Sequence, residues 1–225
     1  MPIGAFWGYK TDGLIQTQEQ LNAVKRADFQ PNAELGDVLF VDTNGDGKLD
    51  SSDRCMIGNP IPDIIYGINM GMAWKGFDLN LQCGGTIGNQ IYNAMRYYTY
   101  FPNDITNKDR ALMNYWTPNN TNTDIPRLTA TDVNDNDRFS DMYVENGTYF
   151  RLRNAQLGYT LPASLTQRIK LQKVRFYVSG QNLFTISSYS GMDPEVGQSS
   201  SLSRGIDYGI YPQNISFTGG INVTF

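Results

Sequence analysis

Between Ile64 and Ile87 apolar and polar positions alternate with a period of two. Ile64, Tyr66, Ile68, Met70, Met72 and Trp74 occupy the even places, and Ile65, Gly67, Asn69, Gly71, Ala73 and Lys75 the odd ones. After Lys75-Gly76 the alternation restarts, with Phe77, Leu79, Leu81 and Cys83 against Asp78, Asn80, Gln82 and Gly84. A period of two is a strand with one face in apolar surroundings, and Lys75-Gly76 supplies a hairpin turn. Each arm is long enough to cross a bilayer at a tilt, which takes about 9–11 residues. Strands of soluble sandwiches alternate too, but are usually about 5–6 residues long. Here the second face is small and polar, the pattern of an outer-membrane barrel wall with lipid outside and a wet lumen inside. Trp74 and Phe77 flank the turn where an aromatic girdle would sit.

The same pattern returns further along. Ala155, Leu157, Tyr159 and Leu161 oppose Asn154, Gln156, Gly158 and Thr160, and predict a strand over 149–161. Its start, Phe150-Arg151-Leu152-Arg153, has the opposite parity, which predicts a bulge near Arg153. A strand over 173–187 places Val174, Phe176 and Val178 on one face and Arg175, Tyr177, Ser179 and Gln181 on the other. A final one over 214–225 sets Ile215, Phe217, Gly219, Ile221, Val223 and Phe225 against Ser216, Thr218, Gly220, Asn222 and Thr224. The expected fold is all-β: an incomplete antiparallel up-and-down outer-membrane barrel wall of about five long strands plus extracellular loops. Both its edges should be unpaired, because closure takes at least about eight strands.

The other segments read as connections. Residues 3–15 and 37–41 are small extra strands, and Thr17 with Gln20 forms a capping box opening a short helix through Leu21 and Val24. Residues 88–147 are a long Asn/Asp/Thr-rich loop with a short helix around Lys108 to Trp116, and 187–213 a second long loop. Pro162 to Gln172 holds at most one helical turn. Loops this long are usually functional, and on a barrel they belong outside the cell.

Composition removes several function classes. Zero histidines among 225 residues take away the commonest general base and zinc ligand. A net charge of −4 and a pI near 4.8 argue against nucleic acid. Mean hydropathy of −0.41 does not argue against a barrel, which hides its apolar surface in alternation. Cys55 and Cys83 fit no metal spacing and read as two buried free thiols, with a disulfide between them still open. No catalytic constellation emerges. The run Asp132 to Asp137 reads as a solvated loop, and the aromatic cluster Tyr97, Tyr98, Tyr100 and Phe101 reads as loop packing, with sugar stacking as the sharper alternative. No signal peptide opens the chain, so a longer parent is expected.

Two motifs carry chemistry. Asp42-Thr43-Asn44-Gly45-Asp46-Gly47-Lys48-Leu49-Asp50-Ser51-Ser52-Asp53 fits the calcium-loop template, with ligands expected from Asp42, Asn44, Asp46, the Lys48 carbonyl, Asp50 and Asp53. Asp at the twelfth place shortens the bidentate arm, and no helix pair flanks the loop, so a structural Ca2+ in an extracellular segment (37–63) is expected. The alternative is an ion-free turn held by Asx hydrogen bonds. Thr218 to Phe225, ending on an aromatic, resembles the terminal signal read by the barrel assembly machinery.

A family resemblance follows from strings in fixed order: Gly8-Tyr9-Lys10-Thr11-Asp12-Gly13, the Asp42 to Asp53 loop, Ile57-Gly58-Asn59-Pro60-Ile61-Pro62-Asp63, Tyr66-Gly67, Lys75-Gly76-Phe77-Asp78, Leu157-Gly158-Tyr159-Thr160-Leu161-Pro162, Val178-Ser179-Gly180-Gln181-Asn182-Leu183-Phe184 and Met192-Asp193-Pro194-Glu195. Together they resemble the C-terminal barrel segment of SusC/RagA-type TonB-dependent outer-membrane transporters, over essentially residues 1–225. The resemblance implies a plug domain, absent here, inside a barrel of about 22 strands. It also implies pairing with a SusD-like surface lipoprotein and TonB-energised uptake of an oligosaccharide or peptide. Such a piece is no enzyme and carries no transport alone. The competing class is a secreted calcium-stabilised β-sandwich that binds carbohydrate or serves adhesion, in which a second sheet would cover Ile64, Tyr66, Ile68, Met70, Met72, Leu79 and Leu81.

Overall fold

A computed structural model describes residues 2–101, 107–196 and 203–225. In chain order it contains β1 (Phe6–Gly8), β2 (Thr11–Leu14), α1 (Gln18–Arg26), β3 (Val38–Phe40), β4 (Cys55–Gly58), β5 (Ile64–Trp74), β6 (Phe77–Ile87), β7 (Gln90–Asn93), α2 (Ala94–Tyr100), β8 (Val144–Asn146), β9 (Tyr149–Thr160), α3 (Ala163–Thr166), β10 (Lys173–Ser187), β11 (Ile206–Asp207) and β12 (Ser216–Thr224). The chain divides into two compact units. No helix among the described residues is long and apolar enough to cross a membrane, which says nothing of strands.

The second unit, residues 62–89, 147–195 and 211–225, is built on a five-stranded antiparallel sheet in the order β12-β10-β9-β6-β5. Its strands match the five expected from alternation to within about two residues at each end. The β5–β6 hairpin pairs without interruption from Trp74↔Phe77 to Ile64↔Ile87. Lys75 (φ 46) and Gly76 (φ 91) turn it, as a two-residue connection with both central residues left-handed requires. The bulge falls where the parity break predicts it: Gln82 pairs with Asn154 and Cys83 with Leu152, leaving Arg153 over. Strand β10 absorbs the mismatch at Asn182-Leu183, with Asn182 at φ 52.

Register carries the two faces across the sheet. On one side Met72, Leu79, Leu157, Val178 and Gly219 form a row, and Trp74, Phe77, Tyr159, Phe176 and Ile221 the next. On the other side Asn69, Gln82, Asn154, Gln181 and Ser216 align. Most of the apolar side is uncovered within this unit; Val174, at the start of β10, and Cys83 are the buried exceptions. Met72 is 70% exposed, Trp74 67% and Val178 61%. A sandwich would bury them.

The first unit, residues 1–61, 90–146 and 196–210, gives 88–147 more regular structure than the expected long loop with one short helix. That stretch supplies β7, α2 and β8, and the helical turn expected around Lys108 to Trp116 is a 3₁₀ segment at Arg110–Asn114. Residues 3–15 form two short strands instead of one. β1 pairs with β4, β2 with β3, and β7 sits between β8 and β11. All three clusters of buried apolar side chains lie in this unit, centred on Trp116 with Phe40, on Tyr143 with Tyr92, and on Ile15 with Leu21. The Thr17–Gln20 capping box of α1 is formed.

The acidic run is also reassigned. Asn134 and Asn136 within it are buried and hydrogen-bond Val38 and Gln30, completing the backbone pairing of β3. Asp37, fully buried, accepts from Arg127 Nε at 2.6 Å and from Asn136. A short edge strand thus gains from side-chain amides the partners a neighbouring strand would supply. Tyr97 and Phe101 pack their rings on Tyr143, whereas Tyr98 stays half exposed.

Candidate functional site

The aspartate loop lies in the first unit and is held by its own side chains. The Asp42 carboxylate accepts from the Gly45 and Gly47 N–H groups at 2.6 and 2.8 Å. Asn44 Oδ1 accepts from Asp46 N, and Asp46 Oδ1 from Lys48 N. Gly45 (φ 77) and Gly47 (φ 75) take the left-handed conformation that these nested turns demand. The Asp50 carboxylate accepts from the Ser52 N–H and hydroxyl, opening a 3₁₀ turn over Ser51–Asp53. Asp53 closes the loop, with Oδ1 accepting from Thr43 N and Oδ2 from Asp50 N, each at 3.0 Å. The Gly47 N–H holds the Asp42 carboxyl below the usual range against the opposing effect of burial, and the Ser52 hydroxyl does the same for Asp50.

The six expected ligands therefore share one loop, but their side chains are engaged in Asx turns. Among the described residues no three Asp, Glu, Cys or His groups gather into an ion-holding cluster. The donor chemistry still fits a hard cation, because each carboxylate oxygen has lone pairs beyond those used. Asp53 strengthens the fit. It is fully buried and joins no ion pair among the described residues, and a buried carboxylate is costly without positive charge nearby.

In the second unit the polar face of the sheet holds three arrangements. Across β9, Arg175 bonds Asp78 through Nε at 2.9 Å and Nη2 at 2.5 Å. The pair spans Gly158, where a Cβ would collide with both partners. Glycine in the Leu157-Gly158-Tyr159 string is thus required by an ion pair that runs over its backbone. Next to it, Asn69, Asn80, Gln82 and Asn154 line an amide groove of about 210 Å³, and the Asn154 Oδ1 is buried without a partner.

The third arrangement explains the Met192-Asp193-Pro194-Glu195 string. Arg151, opposite Gly84 on the polar face, is 2% exposed and donates to Asp193 Oδ1 at 2.6 Å, Glu195 Oε2 at 2.7 Å and Thr185 Oγ1 at 2.8 Å. Arg153 reaches Glu195 at 3.0 Å, and Asp193 Oδ2 accepts from Gln213 N. Burial raises the Asp193 carboxyl, but the Gln213 and Glu195 N–H groups and Arg151 outweigh it and leave it below its ordinary value. This tether ties 193–195 and 213 to the sheet. Alternation cannot reveal it; only the odd Arg-x-Arg at the parity break hints at a special role. Cys55 and Cys83 are both free thiols, but only Cys83 is buried; Cys55, on the short strand β4, is partly exposed, against the expectation that both would be buried.

No family model matches the chain. It is 38% identical over 233 residues to TonB-dependent receptor P3 of Formosa agariphila, covering 99% of this chain and 22% of that protein. It is 29% identical over 198 residues to TonB-dependent receptor SusC of Bacteroides thetaiotaomicron, covering 88% of this chain and 18% of the other. The chain thus spans about a fifth of the length of these relatives. Among solved structures the RagAB peptide transporter superposes with a TM-score of 0.73 at 25% identity, over 98% of this chain and 22% of that one. These relatives are receptors and transporters, not enzymes. With its register-matched apolar and polar faces and a similarity that runs along nearly all of this chain, the chain is a segment of a SusC/RagA-type TonB-dependent receptor of the outer membrane, and its five-stranded sheet is part of the barrel wall.

Proposed function

We propose that the chain serves, within a whole receptor about five times its length, in active uptake of a nutrient across the outer membrane. The observation that carries this reading is the uncovered apolar face from Ile64 to Ile221, backed by a continuous amide face. Lipid on one side and a wet passage on the other is the arrangement that pattern answers. In the whole receptor TonB would supply the energy and a SusD-like surface lipoprotein would cover the entrance. The cargo is a peptide or oligosaccharide; the amide rows offer both donors and acceptors, as either needs. The loop 37–63 lies on the extracellular side and takes Ca2+ on Asp42, Asn44, Asp46, the Lys48 carbonyl, Asp50 and Asp53, where the ion offsets the buried charge of Asp53. Cells carrying the whole receptor should accumulate labelled cargo only while the inner membrane is energised. Equal accumulation after collapse of the proton gradient would refute active import.

A further inference from the structure

We infer that the short-turn rim of the sheet is a docking site for an anionic phospholipid. The inference rests on the wall reading, and it starts from a charge imbalance. The chain carries 22 acidic and 18 basic residues, yet this rim reverses the sign. The segments 74–78, 160–175 and 221–225 contain Lys75, Arg168, Lys170, Lys173 and Arg175 against a single acidic side chain, Asp78. Asp78 is taken by Arg175. The other four cations are exposed and join no ion pair among the described residues.

The rim is also where the aromatic row lies. Trp74, Phe77, Tyr159 and Phe176 occupy adjacent positions on four neighbouring strands, all on the apolar face, with the Phe77 and Tyr159 rings 4.5 Å apart. Aromatic residues at that level mark the boundary between hydrocarbon and headgroups. Lys75 bends to the same side: its Nζ lies 4.8 Å from the centre of the Trp74 ring. Its ammonium is therefore held on the lipid side of the wall at headgroup level. Directly beyond, Phe77, Leu157, Tyr159, Phe176, Val178 and Ile221 border an apolar groove of about 390 Å³. One ligand answers all of this: an acyl chain in the groove with its phosphate at Lys75, inside the positive field of the rim. Short turns face the periplasm in such barrels, so the site belongs to that leaflet.

Whole receptor in nanodiscs of phosphatidylcholine, doped with spin-labelled phosphatidylglycerol or spin-labelled phosphatidylcholine, reads the preference directly. The native receptor should hold the anionic label at its boundary severalfold over the zwitterionic one. The variant K75Q should lower that ratio by about fivefold, K75E should lower it further, and K75R should keep it. Excess inorganic phosphate at matched ionic strength should leave it unchanged. A ratio that survives charge reversal assigns the rim to another partner and overturns the inference, as does full displacement by inorganic phosphate. Absence of any immobilised boundary lipid, anionic or not, would instead strike the wall reading itself.

Discussion

Lysine placed on neighbouring residues of β5 separates the two faces and measures depth. Trp74 marks the aromatic level. Met70 lies four residues away, about 14 Å along the strand and about 10 Å in depth at a tilt of about 40°. That is near the middle of an apolar band about 25 Å tall. Met70→Lys should therefore destabilise the whole receptor by about 2–4 kcal/mol, roughly 30- to 900-fold in the folding equilibrium. Met72, about 5 Å from the aromatic level, should cost about half as much. Asn69→Lys, one residue from Met70 but in register with Gln82 on the amide face, should change stability by less than about 0.5 kcal/mol. Guanidinium titration of receptor refolded into vesicles, followed by its heat-modifiable gel shift, measures all three. Equal costs at 69 and 70, or a cost that does not fall from 70 to 72, would refute the assignment of faces.

Other changes test individual contacts. Gly158→Ala should cost about 1–3 kcal/mol by forcing Arg175 and Asp78 apart over the new Cβ, and the same denaturant titration would show it. Arg151→Leu should cost about 3–5 kcal/mol, because Asp193 is left buried without its partner; a neutral result would mean that the tether is ornamental. The Asp193 carboxyl is held below its ordinary value of 3.8. Its contribution is fully present above that value and is lost as pH falls through the lower folded one, so protease nicking within 188–213 should rise only below about pH 4. Calorimetric titration of the whole receptor should detect Ca2+ binding with a dissociation constant of about 10⁻⁴–10⁻³ M, abolished in D42N/D46N; silence at millimolar Ca2+ would leave the loop ion-free.

The sheet was legible in the sequence because its strands answer to one physical demand, an apolar face against a polar one, written with period two. Even the bulge showed, as the parity break at Arg153. The ordering of 88–147 did not, because its core is assembled from distant pieces: Tyr143 packs on Phe6 and Tyr92 through contacts with no local periodicity. Asn134 and Asn136 look solvated by residue type and are buried by the needs of β3. The aspartate loop was legible as a spacing. Its Asx turns serve an ion-free and an ion-bound loop equally. The Arg151 tether joins residues some forty positions apart and left only the Arg-x-Arg at the parity break as a trace.

The central claim is that one face of β5 meets lipid and the other does not. Single spin labels at 66 through 73 of the whole receptor in nanodiscs, probed in turn by oxygen and by a water-soluble nickel chelate, test it most directly. Labels at 66, 68, 70 and 72 should respond to oxygen, which concentrates in lipid, and those at 67, 69, 71 and 73 should not. Responses without a period of two, or with nickel strongest at 70 and 72, would contradict the wall.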